Sequence, residues 1–391
     1  MAHFGDLAKE IYQRGLAGHR PDLPMTADGL EAAARHVLPA ETLSYVIGGA
    51  STERTIAANR EAFARWRIVP RMLRGVTERE LSTTVLGTSM TAPVLTAPVG
   101  VLGLVHPDAD LAVARAAAGL GLASVLSTAS STTLEDVAAA APDAPRWFQL
   151  YWPRDPQLAE SLVRRADAAG YQAIVVTVDT WTLGWRPRDL ALAHLPFLQR
   201  KGIANYLSDP VFQARLGAPP EKSEQAMQAA IGVWMEVFGN PTLGWSDLAQ
   251  LREWTRLPVL VKGICHPDDA RAALDHGVDG LVVSNHGGRQ VDGSRAALDC
   301  LPGVVAAAGG APVLLDSGIR CGADVVIALA LGAQAVLVGR PWIYGLGLAG
   351  QRGVDHALRV ILADLDLTLA LAGYSRPSHL DAHSVVREMV R

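Results

Sequence analysis

Short apolar runs alternate with longer runs rich in alanine and leucine along most of this chain. Eight of the short runs are β-branched or continuously apolar, as expected of strands buried on both faces of a parallel sheet. The predicted strands are Val94–Ala97, Ala123–Leu126, Trp147–Leu150, Ala173–Val178, Val259–Val261, Gly280–Val283, Val313–Leu315 and Ala335–Val338. Strands separated by helical patterns in this number predict an α/β fold, a (β/α)8 TIM barrel, rather than an open doubly wound sheet.

Helical patterns fill most of the intervals between these strands. The predicted helices include Asp108–Ala118, Leu158–Ala169, Pro267–Leu274 and Gly322–Ala330. Proline in the first turn and glycine just past the end recur, as at Pro267 and Gly277. Two of these segments, HPDADLAVARAAAGLG and HPDDARAALDHGVDG, resemble each other. A doubled half-barrel would produce this similarity, and so would two helix starts with similar capping.

Two parts of the chain depart from the alternation. Residues 1–75 are predicted to be helical and irregular, with helices at Leu30–Val37 and Ala40–Val46. Residues 187–245, after predicted strand four, form a long insertion rich in proline, glutamine and aromatic residues. Insertions of this length on the active face of a barrel are usually lids or binding loops. We therefore predict one domain over residues 1–391, in which the barrel occupies residues 76–391 and the insertion is a lid.

Composition narrows the possible partners. Hydrophobic residues make up 49% of the chain, charged residues 19%, and the net charge is −4. A nucleic-acid surface would need a basic stripe, and an anionic membrane would need a basic patch, so neither partner is expected. The three cysteines form no C-x-x-C pair, so no metal site or disulfide framework is expected. The N-terminus lacks the apolar core of a secretory signal and no apolar run spans a bilayer, so we expect a cytoplasmic protein.

Each predicted strand ends in polar residues or in residues that offer backbone groups. Because a barrel carries its active site at the carboxyl ends of its strands, these residues are expected to converge on one rim. They are Pro98, Val99, Gly100, Ser127, Gln149, Tyr151, Thr177, Asp179, Lys262, Ser284, His286, Arg289, Asp316, Gly318, Arg320, Gly339 and Arg340. Burying so many charges costs too much free energy unless they are paired or face a ligand.

The last two strand ends predict a phosphate site. Gly318 and Gly339 allow close approach of the backbone, while Arg320 and Arg340 supply charges that match phosphate oxygens. Loops after strands seven and eight often hold phosphate in this fold. A phosphorylated ligand is therefore expected, although no P-loop for a nucleoside triphosphate is present.

Two other functional motifs are not favoured by the sequence. Gly345, Gly347 and Gly350 fit the dinucleotide fingerprint G-x-G-x-x-G, but no strand ends directly before them. No G-x-S-x-G nucleophile elbow occurs, so serine hydrolase chemistry is also not expected.

Four segments carry a resemblance to a known family. SNHGGRQ at 284–290, LVKG at 260–263, LDSGIR at 315–320 and VGRP at 338–341 resemble the FMN-dependent 2-hydroxy-acid oxidases and dehydrogenases. The match runs in register from about Tyr45 to the C-terminus. The insertion, with GWRPRD at 184–189 and Tyr206 close to PVF at 210–212, looks most like that of lactate 2-monooxygenases.

The resemblance implies roles for residues of the rim. His286 would be the base, Asp179 its orienting acid, and Tyr151 a contact to the substrate oxygen. Tyr45, Arg186 and Arg289 would bind the substrate carboxylate, and Lys262 would sit near flavin N1. Tyr206 would belong to the lid and contact the substrate. FMN would be held by Pro98, Val99, Gly100, Ser127, Gln149, Thr177, Ser284, Asp316, Gly318, Arg320, Gly339 and Arg340.

One position departs from the glycolate oxidases, which carry tryptophan where this chain has Ala129. The smaller side chain favours lactate or a larger 2-hydroxy acid, unless a neighbouring side chain refills the space. The preferred expectation is conversion of L-lactate and O2 to acetate, CO2 and water. Alternatives are a simple oxidase or dehydrogenase for lactate, mandelate or a longer acid, an FMN-dependent isomerase, and a non-catalytic binding barrel. By resemblance, a homotetramer or homo-octamer is expected.

Overall fold

Eight parallel strands close into a barrel in the computed structural model, which describes residues 3–388. The strands of the chain are β1 (Trp66–Ile68), β2 (Thr83–Val85), β3 (Thr88–Met90), β4 (Val94–Thr96), β5 (Ser124–Ser127), β6 (Arg146–Leu150), β7 (Ile174–Thr177), β8 (Val259–Ile264), β9 (Gly280–Val283), β10 (Val313–Asp316), β11 (Ala335–Val338) and β12 (Val385–Arg387). Strands β4 to β11 follow one another around the barrel, and β11 pairs with β4 to close it. The predicted (β/α)8 barrel is confirmed.

The barrel interior is a packed apolar core. Its strands are almost wholly buried, and residues such as Leu95, Val175 and Leu314 fill the space between them. The hairpin β2–β3, which was not predicted, joins this core through Val85 and Met90. It closes the end of the barrel at which the strands begin, so the open end is the one at which they finish.

Helices surround the barrel. They are α1 (Asp6–Leu16), α2 (Ala27–Val37), α3 (Ala40–Ile47), α4 (Arg54–Ala64), α5 (Ala109–Gly119), α6 (Leu134–Ala140), α7 (Pro156–Ala168), α8 (Pro187–Ala191), α9 (Ala204–Leu207), α10 (Pro210–Gln213), α11 (Glu224–Val237), α12 (Leu251–Trp254), α13 (Pro267–Asp275), α14 (Ala297–Ala307), α15 (Gly322–Ala330) and α16 (Arg340–Leu371). Helix α15 has the predicted bounds. Two barrel helices were missed: α6 has only 7 residues, and α14 contains Pro302, which usually ends a helical pattern.

The glycines of the G-x-G-x-x-G match lie inside α16, not after a strand. The helix is interrupted at Ala349 and Gly350, and its two halves meet at Gly345 and Gly353. A Cβ on Gly353 would lie 1.8 Å from the Gly345 carbonyl oxygen. These glycines therefore serve close helix packing.

The N-terminal region and the insertion are both ordered against the barrel. The region before the barrel contains α1 to α4 and β1, which pairs antiparallel with β12 near the other end of the chain. The insertion contains α8 to α11 and buries Tyr206, Phe212 and Trp234. Within residues 3–388 no helix is both long enough and apolar enough to span a membrane.

Candidate active site

A single pocket at the carboxyl ends of the barrel strands brings together most of the predicted site residues. Those that line it are Tyr45, Pro98, Val99, Gly100, Ala129, Tyr151, Arg186, Lys262, His286, Arg289, Asp316, Gly318, Arg320, Gly339 and Arg340. Tyr45 comes from α3 and Phe197 from between α8 and α9, so the N-terminal region and the insertion both contribute to the pocket, and Arg186 lies just before α8.

His286 projects from the loop after β9 and is held by several partners. Its backbone has φ of 57°, a left-handed conformation that non-glycine residues seldom adopt, and its N–H donates to Ser284 Oγ at 3.0 Å. Its Nδ1 lies 2.8 Å from Asp179 Oδ1 and 3.0 Å from Thr180 Oγ1. Its Nε2 lies 3.4 Å from the Tyr151 hydroxyl. Because a carboxylate only accepts, Nδ1 carries the proton and Nε2 is free to act as a base.

The electrostatic surroundings keep these groups in the states that such chemistry needs. Burial lowers the pKa of His286 below its ordinary value, although Asp179 opposes the shift, so the imidazole is neutral at pH 7. Burial acts to raise the pKa of Asp179, but His286 and Lys262 outweigh it, and the net pKa is lowered. Burial, with a smaller contribution from Asp179, raises the pKa of Tyr151, so its hydroxyl stays protonated.

Two arginines stand side by side in the pocket. Arg289 donates from Nη1 to the carbonyls of Tyr45 and Gly48 at 2.6 and 2.7 Å, and its Nη2 has no hydrogen-bond partner among residues 3–388. Arg186 donates from Nη2 to Gln290 Oε1 at 2.9 Å and is 7% exposed. Burial and the neighbouring Arg289 lower the pKa of Arg186 to about 10, so it remains a cation at neutral pH. Two adjacent cations, one buried and one half-buried, are suited to an anionic ligand such as a carboxylate.

Lys262, at the end of β8, belongs to a buried polar network. Its Nζ donates to Ser284 Oγ at 3.1 Å and lies 3.2 Å from Asp316 Oδ2, and Ser284 Oγ donates to the same carboxylate oxygen at 2.6 Å. Burial acts to lower the pKa of Lys262, but Asp316 and Asp179 outweigh it and the net pKa is raised. The pocket therefore contains a permanent cation at this strand end.

The residues around the pocket fit FMN. Within the described part of the chain, Gln149 Nε2, Thr177 Oγ1 and Arg320 Nε are buried without a hydrogen-bond partner, as expected of atoms that serve a ligand. Ser127 Oγ donates to Gln149 Oε1 at 2.9 Å and so directs the free amide nitrogen away from itself. Helix α16 begins directly after Gly339, and helix N-termini bind phosphate groups. No cluster of residues that could hold a metal ion occurs within residues 3–388.

The Arg340 side chain is engaged by backbone carbonyls and is not free to bind a phosphate group. Its guanidinium donates to three backbone carbonyls, those of Val46, Gly48 and Gly287, at 3.0 to 3.1 Å. It thus ties α3 to the loop that carries His286. In this arrangement the backbone at the start of α16 and Arg320 are better placed than the Arg340 side chain to meet a phosphate.

Tyr206 does not line the pocket, contrary to its prediction as a substrate contact. Its ring is 1% exposed and packs edge-on against Phe212 and Trp234, because the insertion has an aromatic core of its own. The pocket residues that were missed include Thr180, Leu183, Phe197 and Phe238. Their position within or just before the insertion could have indicated them. The direction of their side chains, however, cannot be predicted from the sequence.

The chain was compared with known proteins. The profile of the family described as FMN-dependent dehydrogenase matches residues 34–387. The chain belongs to this family. An L-lactate oxidase of Lysinibacillus sphaericus is 46% identical over 351 residues, which cover 90% of this chain and 89% of the relative. An FMN-dependent alpha-hydroxy acid dehydrogenase of Penicillium citrinum is 44% identical over 373 residues, which cover 95% of this chain and 93% of the relative.

A solved structure of mandelate oxidase with (S)-4-hydroxymandelic acid is 40% identical, with a TM-score of 0.82 over 94% of this chain and 100% of that one. The family resemblance and the FMN cofactor inferred from the sequence are thereby confirmed. This FMN-dependent dehydrogenase is an oxidoreductase that acts on the CH–OH group of 2-hydroxy acids.

Proposed function

We propose that this enzyme oxidises L-lactate with O2 and releases acetate, CO2 and water. The observation that carries the proposal is a histidine and two arginines, the buried Arg186 and the half-buried Arg289, facing one pocket that the insertion helps to line. Lactate would first become pyruvate, and O2 would become hydrogen peroxide. The peroxide then decarboxylates pyruvate to acetate and CO2, with one water formed, before either product leaves.

The side chains of the pocket have distinct roles in this proposal. Arg289 and Arg186 bind the carboxylate, and Tyr45 closes over it. The neutral Nε2 of His286 takes the hydroxyl proton, while Asp179 stabilises the imidazolium that results. Tyr151 stays protonated and donates to the substrate oxygen. When bound, FMN supplies the two-electron acceptor, and Lys262 lies where it can stabilise added negative charge.

Two considerations support lactate as the substrate. An L-lactate oxidase is among the relatives of this enzyme. Arg186, just before the insertion, and Phe197, within it, line the pocket and are 7% and 4% exposed. A well-covered pocket suits a small substrate, and it also retains a product long enough for a second reaction.

Anaerobic mixing followed by product analysis tests the proposal. L-lactate should bleach the flavin absorbance without O2, and D-lactate serves as the stereochemical control. In air the enzyme should form one acetate for each O2 consumed, even with catalase present, because catalase destroys only peroxide that has left the site. If pyruvate and free peroxide are the sole products, the enzyme does not retain pyruvate and peroxide until they react. The proposal that it oxidises lactate would still stand.

A simple oxidase for a larger 2-hydroxy acid is the second candidate. Ala129 leaves space at the pocket wall, and the similar mandelate oxidase was solved with an aromatic hydroxy acid. Initial rates across lactate, 2-hydroxyoctanoate and mandelate discriminate the two candidates. If kcat/KM for mandelate is higher than kcat/KM for lactate, the second candidate function is favoured.

We also propose that the enzyme is a homotetramer or homo-octamer, an expectation that rests on family resemblance, and that it is cytoplasmic. Light scattering on the purified FMN-bound protein measures its mass directly. A monomer or dimer at micromolar concentration would contradict this assembly.

A further inference from the structure

Three aromatic side chains of the insertion stack beside the pocket. Phe197 lies 4.5 Å from Trp234, ring centre to ring centre, with an angle of 24° between the planes. Trp234 lies 4.9 Å from Phe238 at 30°. Phe197 and Phe238 line the pocket, and Trp234 is buried behind them. We refer to Phe197, Trp234 and Phe238 as the aromatic wall.

One end of the aromatic wall stands next to Ala129. A Cβ built on Gly202 would lie 2.9 Å from Phe197 Cε1, 2.8 Å from the Ala129 carbonyl oxygen and 2.3 Å from Val101 Cγ1. These three groups therefore meet around one glycine, which adopts φ of +77° and has no room for a side chain. Phe197 thus lies close to the backbone of Ala129, on the same side of the pocket.

The other end of the aromatic wall reaches the catalytic groups. Phe238 packs edge-on against Tyr151, with ring centres 5.7 Å apart and 66° between the planes. The Tyr151 hydroxyl is in turn 3.4 Å from His286 Nε2. A 2-hydroxy acid with its carboxylate at the arginines and its hydroxyl at His286 must direct its side chain at the remaining lining. That lining is apolar and includes Phe197 and Phe238.

We propose that the aromatic wall, rather than position 129, sets the length of the substrate side chain that this enzyme accepts. The inference rests on the proposed use of a 2-hydroxy acid with a short side chain. Removing the Phe197 ring would add its volume to the pocket, and Trp234 would remain as the back of the enlarged pocket. Because Trp234 stacks on both phenylalanines, it also fixes their positions.

The test compares Phe197→Ala and Phe238→Ala with the unmodified holoenzyme. The selectivity is the ratio of kcat/KM for L-lactate to that for 2-hydroxyoctanoate. A single methylene in an apolar pocket changes selectivity by about 10- to 200-fold, so each variant should shift this ratio toward the longer acid by at least about 10-fold. Binding of pyruvate and of 2-oxooctanoate, followed by the flavin absorbance of the oxidised enzyme, gives the same ratio without turnover.

Phe212→Leu is the matched control, because Phe212 is buried in the insertion but does not line the pocket. It should lower thermal stability without changing selectivity. Phe197→Leu, which keeps an apolar side chain, should fold even if the alanine variant does not, and should give a smaller shift in the same direction. A ratio within twofold of the unmodified enzyme in Phe197→Leu and Phe238→Ala would overturn the proposal.

The outcome is separable from that of the proposed function. If the unmodified enzyme prefers a longer acid to lactate, the proposed substrate fails. The aromatic wall is still supported in that case if its variants move the preference to longer side chains again.

Discussion

The proton affinity of His286 is set by opposing influences. Burial disfavours the imidazolium and Asp179 favours it, while Lys262 and Arg186 add to the effect of burial, and the net result is a pKa below the ordinary value of 6.5. The proposed base is therefore neutral over the physiological range without any change on substrate binding. A base of this kind needs a counter-charge only once it has accepted the proton, and Asp179 lies 2.8 Å away to supply it.

This balance predicts the pH dependence of flavin reduction. Since only neutral His286 accepts a proton, kcat/KM should rise with pH through the histidine pKa, which lies below 6.5, and stay flat above it. Asp179→Asn removes the charge that raises this pKa, so the acid limb should move to lower pH and the plateau should fall because the base is weaker. Anaerobic flavin reduction by lactate from about pH 5 to 8 measures both effects. An acid limb above 6.5, or one that rises in Asp179→Asn, would contradict the assignment.

The planar shape of Arg289 also matters, and not only its charge. Two of its nitrogen–hydrogen contacts position it against Tyr45 and Gly48, which leaves Nη2 for a ligand. Arg289→Lys keeps the charge and loses this geometry. The dissociation constant of pyruvate should rise by about 10- to 100-fold, as for one hydrogen bond to a charged group. Arg188→Lys is the control, since Arg188 pairs with Glu53 outside the pocket. Equal effects of the two changes on pyruvate binding would count against Arg289 as a ligand of the carboxylate.

At the residue scale, site residues could be predicted more reliably at the strand ends than in the insertion. His286, Lys262 and Asp316 follow buried strands, so the barrel geometry fixes where they lie. Tyr206 lies in a segment without regular periodicity, and nothing in its residue type separates a lid contact from a core contact. Phe197, which does line the pocket, was equally unmarked.

At the element scale, the pattern of apolar runs located the barrel strands because each is buried on both faces. The hairpin β2–β3 was missed since its strands have only three residues each, too few to show alternation. The glycines of α16 were a different case. Their spacing matches a nucleotide motif, but their function here is to let two halves of a kinked helix touch.

That helix contact predicts the effect of Gly345→Ala. The new Cβ would lie 2.1 Å from the Gly353 carbonyl oxygen, a backbone atom that cannot move without separating the two halves of α16. The free energy of unfolding should fall by roughly 1–3 kcal/mol, which a thermal melt of the holoenzyme detects. Gly232→Ala is the matched control in α11, where a Cβ meets nothing within 4 Å. That change should leave stability unaltered or raised by up to about 1 kcal/mol, and a similar loss in both variants would refute the packing role.

At the scale of the whole molecule, the pocket is assembled from parts that lie far apart in sequence. Tyr45 comes from α3, Arg186 from the residue before α8, and Gly339 from the junction of β11 and α16. The sequence predicted this convergence because a closed parallel barrel brings all strand ends to one rim. It did not predict how Arg340 joins α3 to the loop of His286, because that contact depends on side-chain direction.

FMN should therefore stabilise the whole fold and not just the pocket. A ligand that binds only the folded state at 100 times its dissociation constant adds about 2.7 kcal/mol to the free energy of unfolding. The melting temperature of the apoprotein should rise steadily with FMN concentration. Riboflavin, which lacks the phosphate, should raise it much less, since Arg320 and the start of α16 would have no partner.

In Arg320→Met, the rise in melting temperature caused by FMN should fall toward the rise caused by riboflavin. The rise caused by riboflavin should stay the same. Equal stabilisation by the two ligands in the unmodified protein would mean that the ends of β10 and β11 do not hold the phosphate.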